Sequence, residues 1–591
     1  MQTLIIRNNF IVLRIQTVLN KSFCWSSFAN AYLRENSNWD VTPHTEGLKA
    51  ISIRLDEQHH LLLPLHYFSN LGVHGFTGDV LLQSNNTQTS IEFEQAIRLL
   101  MPRADKSAAF SQSQIDEFIT QVLQSQRFIA QSLDNHPRLA QLKTGPLNFI
   151  EAEQGLLAGH NFHPAAKSRQ QLTDDLWAKY SPEFAAKFKL VWLRVSKSIV
   201  VGESDGDSLD GYLSELVSQS APQLLSKHND QYAVIPMHPW QWQHLKTLST
   251  IQMLLNDLLI IELGEHGLAW SATSSVRAIC QPDVTFQLKY SLNIKLTNSV
   301  RTLSVKECKR GLRVFDACQT NKYKKWQAQY PEFNVLQEPA WCGLSFNGQV
   351  IEQSIFLFRE NQQLNHKNES LVLATLCQLP IDDEHHLLLE QLKQVSLNKQ
   401  VTLPEAAELW FKKFSEQVIL PLFDLQANLG LVCLAHQQNI VIEFNQGLPF
   451  KTFIRDCQGI GFSTLGVEQF SAYCKDISGE IEHHWSQDQI SRYFPYYVII
   501  NSSYALIAAL SMLGFGDEQA WCNKLHSTLA SIANSAIDPI CLQQVLQQPH
   551  FQCKGNFYCY LTGDNENTIE DPAIIYFDMP NLVAQTDQQE R

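Results

Sequence analysis

LVCLAHQQNIVIEFNQGLPFKTFIRDCQG, residues 431–459, is the stretch whose reading decides most about this chain. Two apolar runs flank His436-Gln437-Gln438-Asn439, and a third, residues 450–454, runs into Arg455-Asp456. Apolar runs separated by short polar segments predict paired strands, with a cluster of polar side chains gathered at one end. At its plainest the stretch is a hairpin with a polar turn.

The rest of the chain sets the frame around that hairpin. With 591 residues it is too long for one core and should divide into roughly three or four units. A 44% hydrophobic and 18% charged composition is that of an ordinary globular protein. The net charge of −14, without a long run of either sign, argues against nucleic acid as a partner, since that affinity needs a basic surface. Thirteen cysteines, with no C-x-x-C pair, argue against a disulfide framework or a structural zinc site and point to a reducing cytoplasm. The apolar N-terminus is interrupted by Arg7 and Arg14 and is not read as a signal peptide. The uncharged stretch between Arg492 and Asp517 is long enough to cross a bilayer. Pro495 and Asn501-Ser502-Ser503 interrupt it and no Lys/Arg cluster flanks it, so it is expected to be a buried helix, with no membrane insertion.

Breaks at Gly145-Pro146 and in LNKQVTLPEAAE, where Thr402 and Pro404 open a helix, divide the chain into 1–145, 146–395 and 396–591. The first two units mix short strands and helices, and the third is more helical. The expected fold class is α+β.

No P-loop and no dinucleotide-binding glycine motif is present. Other segments lean toward an anionic ligand. FQLKYSLNIKLT, residues 286–297, alternates cleanly and is expected to be one strand, with Gln287, Lys289, Ser291, Asn293, Lys295 and Thr297 on one face. That face is either solvated or lines a groove for phosphate or carboxylate. In the following TNSVRTLSVKECKR, Thr297 or Ser299 would cap a helix with Arg301 in its first turn, where amide donors and a guanidinium meet a carboxylate. GHNFHPAAKSR, residues 159–169, brings His160, His163, Lys167 and Arg169 together; phosphate suits it better than zinc. WSATSSVR, residues 270–277, is a hydroxyl-rich turn ending in Arg277. The pairs His59-His60, His385-His386 and His483-His484 read as surface histidines, and residues 203–207 as a solvated turn rather than a calcium loop. In the opening stretch, a His- and Asn-bearing loop, two strands and then an Asp is the order in which protein kinases hold nucleotide-bound magnesium.

From about Phe28 to Pro580, the motifs GHNFHPAAKSR, MHPWQW, ATSSVR, KLTNSVRTLSVKECKRGLR, LAHQQN, RDCQG, RYFPYY and KGNFYCYLTGDNENTIEDP, in this order, resemble the IucA/IucC-type siderophore synthetases. Leu434 stands where many members carry Glu, and Asn161 where many carry Pro. Both fit the subgroup that joins citrate to N6-acetyl-N6-hydroxylysine, the first step of aerobactin assembly. The resemblance implies a three-part cupped hand: a thumb (1–145), a β-rich fingers region (146–395) and a helical palm with kinase-like elements (396–591). It implies an ATP-dependent, AMP-forming ligase that adenylates citrate and passes it to an amine. It further implies ATP and Mg²⁺, citrate and a hydroxamate-bearing amine as partners, and a homodimer or higher homo-oligomer. Carried over by position, the nucleotide contacts are His163, Lys167, Ser275, Arg277, Lys289, Gln438, Asn439 and Asp456. The citrate contacts are Thr297, Arg301, His436 and Lys554; the catalytic set is Arg301, His436 and Lys289; the metal ligands are Asp456 and Asn439. A relative using another amine, such as a diamine derivative, and a non-catalytic citrate- or nucleotide-binding protein are the alternatives. One geometric demand follows: Lys289 and Thr297 lie roughly 26 Å apart on a straight strand, generous for the two ends of one site, so either the strand twists, bulges or bends, or one of the two assignments is wrong.

Overall fold

The computed structural model describes residues 22–44, 47–85, 87–101, 110–296, 299–361, 367–382, 385–474, 477, 483–564 and 572–584. Three sheets, each with its own helices, organise them.

The first sheet is antiparallel, in the order Trp39–Pro43, Lys49–Arg54, His59–Tyr67, Val80–Ser84, Thr87–Ile91, with Gly75–Phe76 beside the third strand. Its apolar face packs on the helix over 22–35 and on the helices Phe93–Leu100 and Gln112–Asn135. Phe557 and Tyr560, from the far end of the chain, complete that core. Ser111 and Gln114 open the 24-residue helix with a reciprocal capping box.

The second sheet has eight antiparallel strands, in the order Val200–Ser204, Ala340–Phe346, Gln349–Glu360, Phe286–Tyr290, Ala278–Cys280, Ile260–Ala272, Lys187–Ser196, Tyr232–Met237. One face buries Trp192, Trp242 and Trp270. The third sheet runs Phe333–Val335, Leu448–Ile454, Ile440–Asn445, Ser370–Val372 and packs on a large helical core. Two of its strands come from 146–395 and two from 396–591, and the division at 395/396 falls within the helix Leu387–Lys399.

Segment 286–297 is not one strand. Phe286–Tyr290 belongs to the large sheet, whereas Leu292–Leu296 pairs with Ser299–Arg301 in a separate ribbon. The break sits at Ser291, whose hydroxyl donates to Glu352 O (2.7 Å) and accepts from Leu303 N–H (2.9 Å). Gln241, in the MHPWQW segment, holds the far side by accepting from Asn293 N–H and donating to Asn293 Oδ1 and Gln353 O. The segment therefore breaks at Ser291 into two strands of different sheets. Nor does a helix begin at Ser299, which opens the strand Ser299–Arg301. Arg301 ends a strand, and the helix Val305–Gln319 starts four residues later, capped by Ser304 with Glu307 in a capping box. Ser304 wins because Glu307 stands three residues on to answer it. Thr297 lies outside the described residues.

Two histidines expected at the surface are buried. His386 caps the helix Leu387–Lys399, accepting from Leu388 N–H, and His483 meets Ile460 O at 2.9 Å. The helix Gln487–Met512 is long and apolar enough to cross a membrane, but 89% of its most apolar window is buried inside the molecule. Past Pro495, which cannot donate a backbone hydrogen bond, it widens into a π-helical segment, Tyr496–Ser503. All thirteen cysteines are buried, and none is joined in a disulfide.

Candidate active site

Beside the second and third sheets a cavity of about 460 Å³ opens. Its walls come from the loop over 159–169, the turn 273–277, the strand Phe286–Tyr290, the polar loop 436–439, Asp456, the π segment and the end of the strand His550–Lys554.

The 431–459 stretch folds as three strands, not two. Ile440–Asn445 and Leu448–Ile454 form the hairpin, while Leu431–Cys433 pairs with Ile460–Phe462. In the hairpin Ile440 faces Ile454, so Asn439 and Arg455-Asp456 are side by side, and Arg455 N–H donates to Asn439 O at 3.1 Å. That register brings the polar loop and the Asp to one edge of the cavity. Asp456 takes a left-handed backbone (φ +75°), rare for a side chain with a Cβ and the kind of strain that functional sites retain.

A buried ion pair fixes the loop against the hydroxyl-rich turn. Arg455 Nη1 lies 2.5 Å from Glu153 Oε1, and its Nη2 donates to Gln438 O at 2.6 Å. Glu153 Oε2 accepts from Ser274 N–H and Oγ–H at 2.8 and 2.7 Å. Val276 in that turn has φ +65°, an outlier for a β-branched residue, and Ser275 Oγ accepts from Ala278 N–H. The strained turn is thus held from both sides, and Arg277 follows it directly into the cavity wall.

Lys289 sits over a second buried network. Its ammonium contacts Asp456 Oδ1 at 2.5 Å and Gln458 Oε1, with Glu338 Oε1 at 3.8 Å. Glu338 in turn accepts two hydrogen bonds from Arg359 and one from Gln458. Burial pushes the Asp456 carboxyl up, but Lys289, Arg359 and Arg277 outweigh it and hold it well below the usual carboxylate range. A third network joins Lys167, Arg169 and Glu183. Burial again opposes ionisation, and the two cations overcome it, holding Glu183 at about 2.

Burial lowers Arg301 to about 10, helped by the like charge of Arg277 and opposed by Asp456 and Glu307. His436 falls to about 4 through burial, with Arg455 and Arg301 adding to it against Asp456, so its imidazole is neutral at pH 7. Its Nε2 lies 3.1 Å from Asn439 Nδ2, which leaves the Asn439 oxygen for another partner.

His163, Lys167, Ser275, Arg277, Lys289, Arg301, His436, Gln438, Asn439, Asp456 and Lys554 all line this one cavity; only Thr297, outside the described residues, is missing from the expected set. Lys167 is already matched by Glu183 and by Leu156 O at 2.6 Å, so its charge is committed before any ligand arrives. Among the described residues, no group of three or more His, Cys, Asp or Glu side chains could hold a metal ion, so His160 and His163 do not assemble a zinc site. Asp456 and Asn439 do suit Mg²⁺, which takes one or two protein oxygens and completes its shell with phosphate and water.

Sequence reasoning missed the groups behind the wall. Glu153, Glu183 and Glu338 are buried partners of Arg455, Lys167 and Lys289. Arg359, on the cavity wall itself, pairs with Glu338, and its only signal was a charge set among apolar neighbours in SIFLFRE. Asn501 and Tyr497, which had no place among the expected site residues, reach the cavity from the segment expected to be a buried helix.

Eight Lys and Arg side chains line the cavity against two acids, Glu307 and Asp456, which defines a site for small polyanions in a mixed helix-and-sheet protein. The chain belongs to the IucA/IucC family. The profile of the IucA / IucC family matches residues 148–378, and that of the ferric iron reductase FhuF-like transporters matches 408–569. The chain is 35% identical to an N(2)-citryl-N(6)-acetyl-N(6)-hydroxylysine synthase of Vibrio mimicus, over 96% of this chain and 98% of that one. It is also 35% identical to the synthase of the same name from Escherichia coli, over 94% and 96%. The structure of ATP-bound aerobactin synthetase IucA from Klebsiella pneumoniae superposes with a TM-score of 0.90 at 34% identity, covering 95% of this chain and all of that one.

Proposed function

We propose that this protein is an ATP-dependent ligase of siderophore biosynthesis that joins citrate to the amine of N6-acetyl-N6-hydroxylysine. The observation that carries this reading is the convergence of Arg277, Lys289, Arg301, His436, Asn439, Asp456 and Lys554 on one cavity, in a chain alike over nearly its full length to two synthases of that name.

In this reading a citrate carboxylate oxygen attacks the α-phosphorus of ATP. An O–P bond forms, the bond to the β-phosphate oxygen breaks, and pyrophosphate leaves. The amine nitrogen then attacks the citryl carbonyl, an amide C–N bond forms, AMP departs and the nitrogen loses its proton to solvent. ATP and citrate together bring about seven negative charges, so rigid cations are needed where charge grows on the phosphate. Lys289 and Arg277, with His163, Lys167, Ser275 and Gln438, serve the nucleotide end; Arg301, His436, Lys554 and Thr297 serve citrate. Asp456 and Asn439 would hold Mg²⁺, which when bound neutralises phosphate charge. Neutral His436 lines the citrate end without adding charge. The frame is a cupped hand, with 1–145 as thumb, 146–395 as fingers and 396–591 as a kinase-like palm; the enzyme acts in the cytoplasm as a homo-oligomer.

Incubation with ATP, Mg²⁺, citrate and a panel of amines, followed by mass analysis, tests the choice of nucleophile. The citryl amide of N6-acetyl-N6-hydroxylysine is expected in excess over those of diamines. A diamine product in excess would move the enzyme to another branch of the family.

A further inference from the structure

The helix over 22–35 ends in Arg34-Glu35, more than 500 residues from Lys554 in sequence and outside the cavity wall. The two charged side chains do not turn to each other. Glu35 accepts three backbone N–H groups: Asn556 at 2.5 Å and Phe557 at 2.7 Å on Oε1, and Tyr558 at 3.1 Å on Oε2. Arg34 donates to Leu71 O at 3.0 Å and lays its guanidinium 3.2 Å above the ring centre of Phe162. One residue therefore grips the segment that follows Lys554, and its neighbour grips the loop that carries His160 and His163.

Five further contacts show that this grip is built. A Cβ on Gly555 would lie 2.9 Å from Glu35 Oε2, so only glycine lets the chain come this close. Tyr558 OH donates to Asn36 Oδ1 at 2.7 Å. The Phe557 ring meets Phe28 and Tyr32 edge-on at 5.6 and 5.4 Å, and Tyr560 meets His163 at 4.8 Å. Apolar packing alone would dock Phe557–Thr562, but it would leave the backbone at 555–558 free to slide along the N-terminal core. A half-buried carboxylate facing three amides fixes its register, at a desolvation cost that shows in Glu35 being raised to about 7 against those hydrogen bonds and Arg34. Both gripped segments end in cavity residues: Lys554 and Asn556 on one side, His160 and His163 on the other.

We propose that Arg34 and Glu35 form a clamp by which the N-terminal unit positions two parts of the cavity wall, Glu35 setting Lys554 at the citrate end and Arg34 holding the His160–His163 loop at the nucleotide end. The proposal rests on the reading of Lys554 as a citrate contact given above. Neither clamp residue touches substrate; both are positioning residues.

The test uses the full chain with Glu35→Leu, Glu35→Gln and Gly555→Ala, the last pushing the carboxylate away from the opposite side. Amide hydrogen exchange at 556–558, thermal melting, and KM and kcat for citrate and ATP are measured for each. In Glu35→Leu, protection at 556–558 should fall and KM for citrate should rise about tenfold or more, with KM for ATP and kcat within about twofold. Glu35→Gln, which keeps one acceptor oxygen, should fall between that variant and wild type, and Gly555→Ala should raise KM for citrate in the same direction. Unchanged protection at 556–558, or a lower melting temperature and kcat with unchanged KM for citrate, would overturn the clamp. If Glu35→Leu fails to fold, Gly555→Ala decides on the same readouts. Wild-type protein that does not use citrate would instead remove the functional reading, while hydrogen exchange at 556–558 still judges the clamp.

Discussion

Replacing Asp456 by Asn separates the site's chemistry from its architecture. Asn is isosteric and among the residues that best tolerate the left-handed backbone at this position, so φ +75° adds no penalty. What is lost is the 2.5 Å contact to Lys289 and one anionic oxygen ligand for a hard cation. A hydrogen bond to a charged group is worth about 1.5–3 kcal/mol. Here Lys289 keeps Gln458 and Glu338, and the Asp456 side chain is 29% exposed, so the cost to folding should be about 1–2 kcal/mol. In a chain of this length that lowers Tm by only about 1–3 °C. The expected cost to catalysis is larger, about 10²–10³ in kcat, as for removal of one preorganised electrostatic group. The Asp456 carboxyl is held below its unfolded value of about 3.9. Its contribution to stability is therefore present above pH about 4 and lost in stronger acid, so the Tm difference between wild type and Asp456→Asn should be constant from pH 5 to 8. The assay is citrate-dependent activity titrated with Mg²⁺ and with Mn²⁺, beside a thermal melt. Partial recovery at high metal, most with Mn²⁺, is expected. A variant that melts many degrees lower and ignores metal would refute the reasoning and make Asp456 a structural residue.

Three more outcomes follow from the same geometry. Arg301→Ala should cost kcat/KM for citrate about 2–5 kcal/mol while the Kd for ATP stays within a few-fold; equal loss on both substrates would move Arg301 to the nucleotide side. Arg455→Met should destabilise by about 3–5 kcal/mol in denaturant unfolding because it strands buried Glu153, and Glu153→Gln in the same chain should recover most of that; no recovery would deny the pair its structural role. Burial holds His74 and His238 at about 3 and His136, His386 and His436 at about 4. The unfolded chain takes up protons near pH 6.5 that the folded one refuses, so Tm should fall as pH drops from about 6.5 toward 4, and a flat melt over that range would contradict the neutral assignment.

How far the sequence could be read depended on the range of each interaction. The hairpin at 440–454 was legible because its alternation and its polar end are local features. The polar loop and Asp456 then met because hairpin register allows nothing else. The run 286–297 misled because its alternation is preserved on both sides of Ser291; only Gln241 and Leu303, distant in sequence, break it into two strands. The helix start at Ser304 was readable from S-x-x-E, but a search for a cap beside Arg301 passed over it. Glu338 beneath Lys289, Glu183 beneath Lys167 and Glu153 beneath Arg455 left no local trace, since each is a lone acid paired across a fold that the spacing does not encode. The sequence therefore exposed the cations that face a ligand and concealed the anions that hold them in place.

The central claim is that this cavity activates citrate as an adenylate. Exchange of labelled pyrophosphate into ATP tests it most directly, with citrate alone present and no amine. The account predicts exchange that requires citrate, is abolished in Arg301→Ala, and gives AMP rather than ADP once N6-acetyl-N6-hydroxylysine is added. Exchange indifferent to citrate, or accumulation of ADP and phosphate, would contradict it.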